Sequence, residues 1–149
     1  MTNDSREPKD IDWGRLAPWL VVTIGVMAYA NTFGNPFVFD DAFLLSIRPE
    51  WPRSILTWFN PRSLVNLTFL LNGMADGRNP AGYHAVNLVI HLAAALLLLG
   101  VVRRTLSRFQ ATGWSPALAT GVATVVAAIW AAHPLQTESV TYICQRYES

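Results

Sequence analysis

The sequence predicts an all-α membrane protein with about three transmembrane helices and short interfacial helices in a long first outer loop. Three observations carry that expectation. Only 14% of the 149 residues are charged while 52% are hydrophobic, against roughly a quarter charged in an ordinary soluble domain. Three stretches free of charged residues approach the roughly 20 residues needed to cross a hydrocarbon core of about 30 Å. The segment after the second stretch is purely basic, as short cytoplasmic loops are.

Residues 1–15 read as a cytoplasmic tail, with Asp4, Glu7, Asp10 and Asp12 beside Arg6, Lys9 and Arg15. Residues 16–33 are a first span, with Trp13, Trp19 and Tyr29 where an aromatic belt would sit. Ala28-Tyr29-Ala30 has the small-x-small form of a signal-peptide cleavage site, but the preceding segment is long and acidic for a signal peptide. Residues 34–79 form an outer loop too long for a simple turn and too apolar for a plain solvated one. Within it Trp51, Trp58 and Phe59 suit a membrane interface, and Arg62 to Met74 is helical in composition but too short to span. Turn signals stand at Asn35-Pro36, Pro49 to Pro52, Asn60-Pro61 and Gly77 to Pro80.

Residues 80–102 are the second span, started by Asn79-Pro80, since proline is tolerated in a first helical turn. Arg103, Arg104 and Arg108 make 103–115 a cytoplasmic loop. Residues 116–132 are the third span, with alanine at 119, 123, 127 and 131, a smooth stripe against which another helix packs closely. With the basic loop inside, the N-terminus is inside, and 34–79 and the last segment, 133–149, share the outer side.

Eleven basic and ten acidic residues leave a net charge of +1, so no overall field favours nucleic acid. Cys144 is the only cysteine, which excludes an internal disulfide and a cysteine-based zinc cluster.

The polar residues near the spans are the candidates for function. Asp40 and Asp41 read either as a loop start or cap, or as a base or metal ligand at the water–lipid boundary. His84, Asn87 and His91 share one helix face, and polar groups at membrane depth point into a protein interior or a wet cavity. They serve interhelical hydrogen bonds, or a metal site with the Asp pair, although two turns separate the histidines. His133-Pro134 reads as a helix stop, with Thr137, Glu138, Gln145 and Arg146 close behind. Arg48, Arg53, Arg62, Arg78 and Arg146 hold lipid headgroups or balance local acids, or fork onto a phosphate. Asn66-Leu67-Thr68 matches a glycosylation triplet but sits in an apolar helix, and Asn3-Asp4-Ser5 falls inside.

Together these motifs resemble a known pattern: a span followed by Phe37-Val38-Phe39-Asp40-Asp41, then Arg62 before an apolar helix, then Asn79-Pro80-Ala81-Gly82-Tyr83-His84-Ala85-Val86-Asn87-Leu88-Val89-Ile90-His91, then Ala132-His133-Pro134-Leu135-Gln136-Thr137-Glu138-Ser139-Val140. From about Leu16 onward the chain resembles the N-terminal part of bacterial membrane proteins related to the transmembrane and tetratricopeptide-repeat O-mannosyltransferases, in the GT-C superfamily of glycosyltransferases. The resemblance implies a multi-pass protein of the bacterial inner membrane that transfers a sugar, mannose being one candidate, from a polyprenyl-phosphate donor to an acceptor hydroxyl on the outer face. It implies Asp40 or Asp41 as general base, Asp40 preferred. Arg62 and Arg146 are implied for the donor phosphate, His84 and His133 for shaping the site, and Glu138 for orienting them.

No cofactor is called for; a divalent metal is compatible with the resemblance and unsupported by the residues. The expected partners are the lipid bilayer, the polyprenyl-phosphate-linked sugar, and missing C-terminal spans or a split partner chain, with no nucleic acid. Members of the resembled family carry many more spans, so these 149 residues are expected to be a fragment of a larger fold, incomplete alone. Two other readings compete: a small non-catalytic membrane scaffold or assembly subunit, and an ion or proton pathway through His84, His91 and the Asp pair.

Overall fold

The computed structural model describes residues 12–38, 41, 63–108 and 115–147. Among these, every regular element is helical. Asp40, Trp51, Trp58, Phe59 and Arg62 lie outside the described residues.

Helix α1 (Trp13–Tyr29) begins at Asp12, whose carboxylate accepts from the Arg15 N–H at 3.3 Å. That bond takes up one of the N–H groups a helix start leaves without an internal partner. A 3-10 turn at Ala30–Gly34 extends it, so that Trp13–Gly34 is long and apolar enough to cross a bilayer. Trp13 and Trp19 are exposed, as belt residues are, whereas Tyr29 is buried.

Helix α2 (Ser63–Asp76) covers most of the segment expected to be helical but too short to span. Its 14 residues reach only about 21 Å. It stops at Gly77, where φ is +60° and the N–H donates to the Gly73 carbonyl at 3.2 Å. Glycine takes this left-handed cap without a Cβ penalty. The chain then turns directly into α3 (Pro80–Arg108), a helix of 29 residues and about 43 Å, more than a hydrocarbon core requires. Its surplus turn carries the exposed Arg103, Arg104 and Arg108.

Helix α4 (Pro116–Ala131) is capped by Ser115, whose hydroxyl accepts from the Leu118 N–H at 3.2 Å, with proline in the first turn. Sixteen residues reach about 24 Å, less than the core. Only together with Pro134–Thr141, from which it is bent by 53°, does this third stretch pass as a span. Pro134 causes the break, because it has no N–H to continue the ladder. A 3-10 turn (Pro134–Gln136), the short helix α5 (Thr137–Thr141) and a 3-10 turn at Ile143–Tyr147 follow.

Helices α1, α3 and α4 pack against one another around Ala17, Val21, Ala95, Leu99, Ala123, Ala127 and Ala131. Between spans in lipid the hydrophobic effect adds little, so close contact between small residues has to hold them. The stripe at Ala119, Ala123, Ala127 and Ala131 is fully buried. The close partners this stripe was expected to take are α1 and α3. At Gly25 the approach is so close that a Cβ would stand 2.6 Å from Leu92 Cδ2. The outer surface carries exposed Met27, Leu97, Val101, Val125 and Ile129, a face suited to lipid.

The end of α1, the start of α3 and the end of α4 lie at the same end of the bundle. The Tyr29 hydroxyl donates to the His133 carbonyl at 3.2 Å, and His91 Nε2 donates to the Ala131 carbonyl at 2.9 Å. The chain that follows α1 and the chain that follows α4 thus leave the bundle at the same end.

Candidate functional site

Two pairs of residues four apart prepare the site. Thr68 and Asn72 share a face of α2, and Tyr83 and Asn87 share a face of α3. The Gly77 turn brings the two helices together, and Asn72 Nδ2 donates to the Gly82 carbonyl at 3.2 Å. Phe69 stacks on Tyr83 with centroids 6.4 Å apart, and Phe37 meets the Tyr83 ring edge-on at 5.6 Å. Ile143 closes this aromatic cluster, which seats the 3-10 turn containing Arg146.

Arg146 is 3% exposed. Its Nε donates to Asn87 Oδ1 at 2.7 Å, Nη1 to Asn72 Oδ1 at 2.9 Å and Thr68 Oγ1 at 3.1 Å, and Nη2 to the Tyr83 carbonyl at 2.9 Å. The Cζ atom stands 4.3 Å from the Phe69 ring centroid, within cation–π range. A buried cation without such bonds would be costly, and the planar guanidinium matches acceptors on both helices at once. Asn87 is the hub, since its Nδ2 also donates to the Val140 and Tyr142 carbonyls at 3.5 and 3.4 Å.

Asp41 is 1% exposed and joins the same segment. One oxygen accepts from the Cys144 N–H at 2.8 Å, the other from the Val38 N–H at 3.3 Å. The carboxylate therefore ties the stretch that follows α1 to the turn that carries Arg146. His84 is also buried, with Nε2 3.3 Å from the Asn35 carbonyl, while Nδ1 is shielded and has no hydrogen-bond partner. His133 and Glu138 are exposed. His133 Nδ1 accepts from the Leu135 N–H at 3.2 Å, which caps the turn after the break.

Of the residues singled out from the sequence, then, Asp41 and Arg146 are drawn to one short segment and His84 lies one residue from an Arg146 partner. His133 and Glu138 stand at the surface, and Asp40 and Arg62 are outside the described residues. Asn72, Thr68, Phe69 and Tyr83 were missed; the four-residue spacing of Thr68 and Asn72 inside an apolar helix was the available signal. Among the described residues no group of three or more His, Cys, Asp or Glu side chains forms a potential metal site.

A partly open cavity of about 230 Å³ lies beside this network, lined among others by Asn87, His91, Trp130 and Arg146. A fixed guanidinium in a low-dielectric surround attracts anionic groups entering such a space far more than it would in water.

No family model matches the chain, and no solved structure matches it. Curated relatives do. The chain is 27% identical over 146 residues to human protein O-mannosyl-transferase TMTC1, covering 85% of this chain and 15% of that protein. It is 28% identical over 147 residues to mouse protein O-mannosyl-transferase TMTC3, covering 87% and 15%. It is 32% identical over 143 residues to Drosophila melanogaster protein O-mannosyl-transferase Tmtc2, covering 83% and 14%. The chain is thus a distant homologue of these enzymes and spans about 15% of the length of the first two.

Proposed function

We propose, from that kinship, that the chain supplies the N-terminal part of a GT-C-type membrane glycosyltransferase, with the polar end of its bundle forming part of the active site. The reaction is transfer of a sugar, mannose by the relatives' names, from a polyprenyl-phosphate donor to an acceptor hydroxyl on the outer face. The observation that supports it best is Arg146, a cation held rigidly at the wall of a cavity on the segment that also carries the Asp41 contact. That location suits stabilisation of the phosphate-linked leaving group by a preorganised charge.

Asp40 is the proposed base, removing the acceptor's proton as the new glycosidic bond forms. Asp41 is a positioning residue: both of its oxygens are engaged and it is closed off from an incoming hydroxyl. Arg62 joins Arg146 at the donor phosphate, His84 shapes the interior, and His133 and Glu138 line the approach from the surface. The N-terminal tail and the loop at 103–115 lie on the opposite, cytoplasmic side.

The test is sugar transfer in native membranes supplied with labelled polyprenyl-phosphate mannose. Asp40→Asn is expected to lower the rate by roughly 10² to 10⁴, the usual worth of a general base. Asp41→Asn is expected to lower stability, because an amide keeps only one of the two acceptor oxygens. Unchanged transfer by Asp40→Asn removes the proposed base.

A second reading is a non-catalytic scaffold, favoured by one observation. Four of the Arg146 hydrogen bonds go to neutral oxygens of the protein itself, as a structural staple would make them.

A further inference from the structure

Helix α2 carries two apolar faces, and only one of them is buried. At about 100° per residue Val65, Thr68, Phe69 and Asn72 fall in one arc. That arc packs on Tyr83 and Ile143 and gives the Thr68 and Asn72 oxygens to Arg146. Leu64, Leu67, Leu71 and Met74 fall in a second arc, roughly 80° wide. In it Leu64 is 76% exposed, Leu71 57% and Met74 75%. Asn66 and Gly73, also exposed, keep a strip between the arcs free of large apolar side chains.

Large apolar side chains grouped on one exposed face mark a contact with lipid or with another protein. The depth of α2 selects lipid. Counting roughly 20 residues back from Arg103, the first charge after the apolar run of α3, places the far boundary of the hydrocarbon core near Tyr83. Helix α2 is pinned at that level, because Phe69 stacks on the Tyr83 ring at 6.4 Å and Asn72 Nδ2 donates to the Gly82 carbonyl at 3.2 Å. Only residues 77–79 separate the two helices, so α2 cannot leave for water without breaking these contacts. Its composition agrees: residues 63–75 carry no charge, and Asp76 and Arg78 stand at its end and in the turn beyond. A helix too short to span and apolar along one side lies in the interface plane, with that side sunk about 5–10 Å.

We infer that Leu64, Leu67, Leu71 and Met74 dock on lipid at the membrane boundary, and that this docking holds Thr68 and Asn72 against Arg146. The acceptors that α3 supplies, Asn87 Oδ1 and the Tyr83 carbonyl, are fixed by a full span. Those that α2 supplies ride on 14 residues, a length at which an isolated helix is marginal. Lipid on its outward arc is the support it otherwise lacks. The state of the bilayer at this boundary therefore reaches the Arg146 network with no ligand in between, whether or not the chain transfers sugar.

The experiment places one nitroxide on the full chain, in a Cys144→Ser background and phosphatidylcholine nanodiscs, at Leu71→Cys, Met74→Cys or Asn66→Cys. Collision with oxygen, which concentrates in lipid, and with a neutral nickel chelate, which stays in water, reports where each label sits. The Leu71→Cys and Met74→Cys labels are expected to favour oxygen, as a Val125→Cys label on the exposed side of α4 does, and the Asn66→Cys label to favour nickel. A second measurement follows hydrogen exchange at the Arg146 Nε–H in a chain labelled with ¹⁵N at arginine, the signal being assigned by its loss in Arg146→Lys. Leu71→Gln combined with Met74→Gln leaves every Arg146 partner in place and is expected to speed that exchange about tenfold or more, by easier local opening. Nickel-favouring labels at both Leu71→Cys and Met74→Cys put the face in water and overturn the inference. Low access to both reagents puts it against protein and does the same. An Arg146 exchange rate that the double variant leaves unchanged also overturns it.

Discussion

At the scale of single residues the strongest constraint is the buried guanidinium of Arg146. Lysine keeps the charge but offers one compact ammonium where arginine spreads donors across Asn87, Asn72, Thr68 and Tyr83. Arg146→Lys is therefore expected to destabilise the chain by about 1.5–3 kcal/mol, the worth of a hydrogen bond to a charged group, in a denaturant titration in detergent. The same variant separates the two functional readings. A scaffold loses stability and nothing else, whereas an active-site arginine also loses transfer beyond what its unfolded fraction explains. Asp41 had looked like one half of an acidic pair at a membrane surface. Its contacts with two backbone N–H groups brace the segment that carries Arg146, and adjacency in sequence to Asp40 could not reveal that, because Cys144 lies 103 positions away.

At the scale of elements the three long helices and the short α2 follow from local sequence. Uncharged runs form most of the long helices, Asp12 and Ser115 start two of them, Gly77 ends α2, and Pro134 breaks the last. The alanine periodicity of α4 was equally legible as a packing stripe. Which helices fill it was not, because a smooth surface accepts any close partner; α1 and α3 do so, with Gly25 allowing the nearest approach. Ala127→Leu places a branched side chain where exposure is 0% and is expected to cost about 1–3 kcal/mol by overpacking, read as a lowered thermal midpoint. The exposed Val125→Leu, two residues earlier on the same helix, is expected to change it by less than about 0.5 kcal/mol.

At the scale of the whole molecule the bundle gathers its polar residues at one end and its arginine-rich surplus turn at the other. If that asymmetry reflects insertion with the basic end inside, single cysteines in a Cys144→Ser background read it directly. Arg104→Cys is expected to react with an impermeant maleimide only after the membrane is opened, and Leu135→Cys, which is 80% exposed, in intact cells. Labelling of Arg104→Cys from outside inverts the topology and removes the outer-face reaction with it.

The sequence by itself determined that the chain is helical and suited to a membrane, which apolar stretches its long helices contain, and its kinship with protein O-mannosyl-transferases. These rest on composition, periodicity and short motifs, all local along the chain. Only the tertiary structure decided that Asn72, Asn87 and Thr68 converge on Arg146, that Asp41 binds the Cys144 backbone, and that His91 turns Nε2 to the Ala131 carbonyl. Each depends on which buried groups meet across helices, and in a membrane interior that is settled by the need to give every polar atom a partner.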